Sequence, residues 1–94
     1  MDHRPLITDD RLPTPDMLTV YGGDWCGDCW TTKRFLDEQG IPYRYVDLQR
    51  DREAQAMLVA AGYRSIPVVI TTAGTILIEP STRELEQALL PGAA

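Results

Sequence analysis

Asp24-Trp25-Cys26-Gly27-Asp28-Cys29-Trp30 holds both cysteines of the chain, two residues apart. A short apolar run of β type, Met17 to Tyr21, leads into it, and a segment with helical periodicity leads out. A Cys-x-x-Cys pair at a strand-to-helix junction is a dithiol redox signature. The reactive form of cysteine is the thiolate, and a helix N-terminus offers unpaired N–H groups and partial positive charge to hold it. Cys26 is therefore expected just before the helix, exposed, with a depressed pKa. Cys29 is expected in the first turn and more covered. Cys26 would attack a disulfide and form a mixed disulfide, which Cys29 then resolves. Gly27 and Asp28 keep the turn short. A carboxylate at Asp28 disfavours a second negative charge beside it, which predicts a less acidic Cys26 and a more reducing couple.

Outward from this stretch the elements alternate. Met17–Tyr21 reads as the first strand, broken by Gly22-Gly23. A helix over about 27–39 follows, with Gly40 suited to the left-handed position past its end and Pro42 barring continuation. Tyr43–Leu48 is a second strand, parallel to the first because a helix joins them. Asp51 caps a second helix, which runs to about Ala61 on an apolar face of Ala54, Met57, Leu58 and Ala61. Val68–Thr71 and Thr75–Ile78 form a hairpin across Thr72-Ala73-Gly74. Ser81 and Glu84 have the spacing of a capping box for a last helix, whose buried stripe is Leu85, Ala88 and Leu89. The expected fold class is α/β, β-α-β-α-β-β-α, with a four-stranded mixed sheet flanked by three helices.

Two regions are expected: an extended, solvated N-terminal arm over 1–16 and a folded domain over 17–94. The arm carries Pro5, Pro13 and Pro15, which oppose a regular helix; Leu6-Ile7 could pack on the domain edge. His3, the only histidine, lies in the arm and reads as incidental. A net charge of -5 argues against a nucleic-acid partner. No stretch approaches the roughly 20 apolar residues of a membrane span. Met1–Pro5 has no apolar signal core, and the cysteine pattern is not a secreted disulfide framework, so a reducing cytoplasm and a monomer are the defaults.

Ile66-Pro67 is the second chemical element. The residue before a proline is pushed to extended backbone, and X-Pro is the bond that readily turns cis. A cis-Pro67 facing Cys26 would leave the Ile66 backbone for an extended substrate; alone, a proline opening a strand is more often punctuation. Trp25 suits an apolar docking lip. Trp30 reads as packing. Asp24 could shape the loop or move a proton. Lys33 or Arg64 could meet the carboxylate of a thiol cofactor, although most such charges are simply solvated. Zinc usually takes four ligands, and two cysteines with one distant histidine make a poor site, so no metal is expected.

Trp25-Cys26-Gly27-Asp28-Cys29, the Ser65-Ile66-Pro67 segment and the element order resemble the glutaredoxin branch of the thioredoxin superfamily, over about residues 17–90. Within it, Glu79-Pro80-Ser81 is similar to mycoredoxins and related actinobacterial glutaredoxin-like proteins. The resemblance implies Cys26 as nucleophile, Cys29 as resolving thiol and Pro67 in cis. It also implies a low-molecular-weight thiol, mycothiol or glutathione, bound across Trp25, Cys26, Ser65, Ile66 and Ser81, with no tightly bound cofactor. Glutaredoxins usually carry a lysine where Gly23 stands, and Gly-Gly with an acidic pair where Glu79-Pro80-Ser81-Thr82 stands. Both changes touch the glutathione carboxylate sites and move the expectation toward mycothiol or a flavoprotein reductase. The implied partners are disulfide-containing proteins. The alternatives are a reductase-recharged electron donor of the ribonucleotide-reductase type, an iron–sulfur carrier, and a redox-regulated binding module.

Overall fold

Thr19–Gly22 is buried at all four positions and forms β1, the strand on which the sheet is built. The computed structural model describes residue 12 and residues 14–90. After β1 come α1 (Gly27–Glu38), β2 (Arg44–Asp47), α2 (Arg52–Ala60), β3 (Val68–Ile70), β4 (Ile76–Ile78) and α3 (Thr82–Leu89). The sheet order is β2-β1-β3-β4. β2 lies parallel to β1, while β3 and β4 run antiparallel to their neighbours. The expected β-α-β-α-β-β-α order and four-stranded mixed sheet are both present.

Alternation along β1 explains the two cores. Leu18 and Val20 pack on one face with Phe35 and Leu36 of α1, Val69, Leu77 and Leu85 of α3. Tyr21 packs on the other face with Val68, Ile70, Ile76 and Leu58 of α2. Side chains of successive strand residues point to opposite faces, so one strand supplies both cores. Burial of each leucine such as Leu36, Leu58 or Leu85 contributes roughly 1.5–3 kcal/mol.

The ends of the helices are set by local chemistry. Asp51 Oδ1 accepts the Ala54 N–H at 2.9 Å. Ser81 Oγ accepts the Glu84 N–H at 3.1 Å, and Glu84 Oε1 accepts the Ser81 N–H at 2.8 Å, completing the capping box. Ser81→Ala is expected to lower stability by about 1 kcal/mol, read as an earlier midpoint in urea unfolding with an unchanged slope. Gly40, Gly62 and Gly74 take positive φ at 68°, 90° and 87°, where a side chain would be strained.

Several expectations change in detail. Gly22 belongs to β1 rather than breaking it. β1 starts at Thr19 instead of Met17, and β2, β3 and β4 are each shorter than the apolar runs that announced them. Pairing with a neighbour, not propensity, sets where a strand stops. Ala88 is exposed, whereas Leu85 is buried and Leu89 packs against the core; the helix turns Ala88 past the edge of the sheet. Trp30, expected to pack, is 63% exposed on the outer side of α1.

Leu12, assigned to the solvated arm, is 6% exposed and belongs to the core on the α2 side. Among the described elements, nine-residue α2 covers that face, and Leu12 fills part of the remainder. Asp16 also lies 3.8 Å from Arg44 Nη2. His3, Leu6, Ile7 and Pro13 lie outside the described residues. Among the described residues, no helix is long and apolar enough to cross a membrane.

Candidate active site

Cys26 is the N-cap of α1, with extended backbone at φ -96° and ψ 114°. Its sulfur takes the place of the usual capping oxygen and accepts the Cys29 N–H at 3.2 Å. The Cys26 N–H in turn donates to the Gly23 carbonyl at 3.2 Å, closing the turn. Cys26 is half-buried and Cys29 is buried. The asymmetry of exposure read from the sequence is therefore present. It follows from one being the cap and the other lying in the first turn on the sheet-facing side.

The facing element arrives from forty residues away. The Ile66-Pro67 peptide bond is cis. Cys26 Sγ lies 3.9 Å from the Ile66 carbonyl oxygen, to which its thiol donates. Pro67 is buried, and its carbonyl accepts the Glu79 N–H at 2.8 Å, which ties the approach to α3 to this segment. Glu79 takes positive φ at 48° to make that turn.

Burial pushes the Cys29 thiol up to about 12. The hydrogen bond with Cys26 and the charges of Cys26 and Asp28 add to the rise, and a backbone hydrogen bond at Gly23 opposes it. Cys29 is thus a protonated thiol at neutral pH. Gly22 explains how it fits: a methyl there would stand 2.6 Å from Cys29 Sγ and 3.1 Å from its Cβ. Helix and strand approach this closely only because that side chain is missing.

Trp25 is 62% exposed. Its ring lies over Gly23, where any Cβ would collide with it. It also forms one wall of a cleft of about 400 Å³, lined by Ile66, Leu48, Gln55, Val59 and Arg64 among others. Asp24, Asp28 and Ser65 are exposed around the pair. Ser81 is engaged as the α3 cap. Lys33 does not turn to this cleft; its Nζ sits 4.0 Å from the centre of the Tyr45 ring. Among the described residues, no group of three or more His, Cys, Asp or Glu side chains could hold a metal ion.

Two residues near the cysteines escaped the sequence reading. One is Gly22 as a contact position; its place directly before the cysteine loop was the available signal. The other is Tyr45. Burial, then the charges of Cys29, Asp24, Asp47 and Cys26, push its phenol up to about 12. Nothing local in the sequence announces that its hydroxyl comes up against Gly22, beside Cys29.

Comparison with known proteins agrees with this arrangement. The family described as Glutaredoxin matches residues 18–74. A Mycobacterium tuberculosis protein described as a candidate glutaredoxin is 35% identical over 75 residues, covering 78% of this chain and 89% of that one. The glutaredoxin-like protein NrdH of Escherichia coli is 36% identical over 53 residues, covering 56% of this chain and 65% of that one. Among solved structures, NrdH-redoxin from Escherichia coli superposes with a TM-score of 0.68 at 28% identity, over 79% of this chain and 95% of that one. A thioredoxin-like protein superposes with a TM-score of 0.72 at 25% identity, over 80% and 96%.

Proposed function

Because the chain belongs to the glutaredoxin family, we propose that it is a thiol–disulfide oxidoreductase that reduces protein disulfides and mixed disulfides through Cys26 and Cys29. The observation that carries this reading is the placement of Cys26 Sγ. It caps α1, faces the Cys29 N–H at 3.2 Å and stands 3.9 Å from the Ile66 carbonyl. A sulfur reached by solvent and faced by a backbone N–H is the one positioned to attack. The Cys26 thiolate attacks one sulfur of a substrate disulfide, the S–S bond breaks, and the other half leaves as a thiolate. Cys29 then attacks the Cys26 sulfur, closes the Cys26–Cys29 disulfide and releases the reduced substrate. Two electrons have passed to the substrate, and two thiols from a co-substrate restore the pair. Trp25 and the cleft beside it form the docking lip, and the Ile66 backbone pairs with extended substrate. The compartment is a reducing cytoplasm.

The co-substrate reading rests on α3. Its capping box engages the Ser81 and Glu84 N–H groups and sets the Glu84 carboxylate at the N-terminus. A further carboxylate is less well received there, since the Glu84 charge repels it and two of the donors are taken. That favours mycothiol, whose cysteine is carried on sugar, over glutathione, which brings two carboxylates. A second reading, a donor recharged by a flavoprotein reductase, is supported by the likeness to NrdH.

Cys29→Ser tests the reading directly, because it removes the resolving thiol. After exposure to mycothiol disulfide, mass spectrometry is expected to find one mycothiol on Cys26, formed faster than the glutathione adduct. No adduct on Cys26 with either disulfide, together with no wild-type turnover with a flavoprotein reductase, overturns the oxidoreductase reading. Faster reaction with glutathione reverses the choice of thiol. Turnover of the wild type with NADPH and a flavoprotein reductase, but not with mycothiol, selects the second reading.

A further inference from the structure

Tyr45 pairs with Val20 in the parallel register of β1 and β2, which sets its ring on the sheet face beneath α1. Its hydroxyl lies 3.0 Å from the point where a Gly22 Cβ would stand. Cys29 Sγ lies 2.6 Å from that same point. Oxygen and sulfur therefore both border the space left by the missing side chain. One turn beyond Cys29, Lys33 Nζ covers the Tyr45 ring at 4.0 Å.

We infer that the Tyr45 hydroxyl is a hydrogen-bond donor to the Cys29 sulfur whenever that sulfur carries negative charge, a role that rests on the dithiol reading above. Burial keeps the phenol protonated, with Asp24 from the loop and Asp47 from β2 adding negative charge, and the cysteine pair at the α1 end adding more whenever it is ionised. It is thus a donor throughout the neutral range. Lys33 contributes positive charge at the ring face, which polarises the hydroxyl further. Cys29 needs such a donor, because its own burial holds it as a thiol.

The step balances without any added oxidant. Cys29 loses its proton to solvent, and its thiolate accepts the Tyr45 O–H. It attacks Cys26 Sγ, and the bond between Cys26 and the substrate sulfur breaks. The substrate leaves as a thiolate and takes a proton from solvent. In the reverse direction, a reducing thiol attacks Cys26, and Cys29 departs as the thiolate that Tyr45 stabilises.

Tyr45→Phe removes only the hydroxyl. Loss of a hydrogen bond to a charged group leaves about ten- to a hundredfold less thiolate at neutral pH. The more basic thiolate is a better nucleophile, with a Brønsted slope of about 0.4–0.5, so the net slowing of resolution is about three- to tenfold. The probe is an aromatic disulfide that releases a coloured thiol twice. The first release follows attack by Cys26, and the second follows resolution by Cys29. In Tyr45→Phe the first phase should be little changed. The second should slow by that factor and show its pH profile displaced to higher pH. Placed on Cys29→Ser, the same substitution should alter nothing in the first phase. A second phase with the wild-type rate and pH profile overturns the role of Tyr45 while leaving the oxidoreductase reading intact. Slowing of both phases in parallel assigns Tyr45 to packing and also overturns it. Absence of the first phase in the wild type overturns the reading on which it rests.

Discussion

Cys26→Ser is expected to abolish disulfide reduction while leaving the fold in place. Serine is among the best N-cap residues, so its Oγ can accept the Cys29 N–H that Cys26 Sγ now accepts at 3.2 Å. A serine hydroxyl is not ionised at neutral pH and does not form the mixed disulfide. Cys29 cannot stand in, because it is 1% exposed and its thiol is pushed up to about 12. Activity should fall by about a thousandfold or more, to the background of the reductant alone. Insulin disulfide reduction measures the first outcome and urea unfolding the second. Retained turnover, with substrate found attached to Cys29, would assign the attacking role to the wrong sulfur. Cys26→Ala separates the two functions of this residue: it should lose the activity and also about 1 kcal/mol of stability with the cap.

Gly22→Ala should damage both stability and the resolving step. The added methyl meets Cys29 Sγ at 2.6 Å, the Tyr45 hydroxyl at 3.0 Å and Cys29 Cβ at 3.1 Å. None of these neighbours is free to swing away, since Cys29 is fixed on α1 and β1 is paired on both sides. Overpacking of this kind costs about 1–3 kcal/mol. Relief requires α1 to lift from β1, which carries Cys29 away from Cys26. Closing a disulfide needs the two Cβ atoms at about 3.5–4.5 Å, so resolution should slow more than the attack by Cys26. The neighbouring Gly23→Ala is the contrast. The nearest atoms to its methyl all belong to the Trp25 ring, an exposed side chain able to rotate outward, and little loss is expected. Urea unfolding and the rate of Cys26–Cys29 disulfide formation read both variants. Equal behaviour of the two alanines would remove the steric account of Gly22.

The cysteine stretch, both acidic and serine caps, and the order of elements were legible because each rests on residues within about four positions of one another. Asp51 and Ser81 announce helices by the donors they satisfy three residues on. Trp30 and Ala88 were misjudged for the opposite reason. Helical spacing says which residues share a face, but the neighbours decide which face is covered. Leu12 reads as part of a proline-broken arm, yet the short α2 leaves room for it on the sheet.

From the sequence alone came the dithiol at a strand-to-helix junction, the mixed sheet with three helices, and the unequal exposure of the two sulfurs. The sequence also offers a cis-Pro67 facing Cys26, whereas the Tyr45 hydroxyl and the close approach of Cys29 at Gly22 came only from the tertiary structure. Capping and periodicity are local and are written in neighbouring residues. Contacts between residues seven to forty positions apart depend on strand register and on how a helix settles against a sheet. At this site that docking turns on a hydrogen atom at Gly22 where a methyl would not fit.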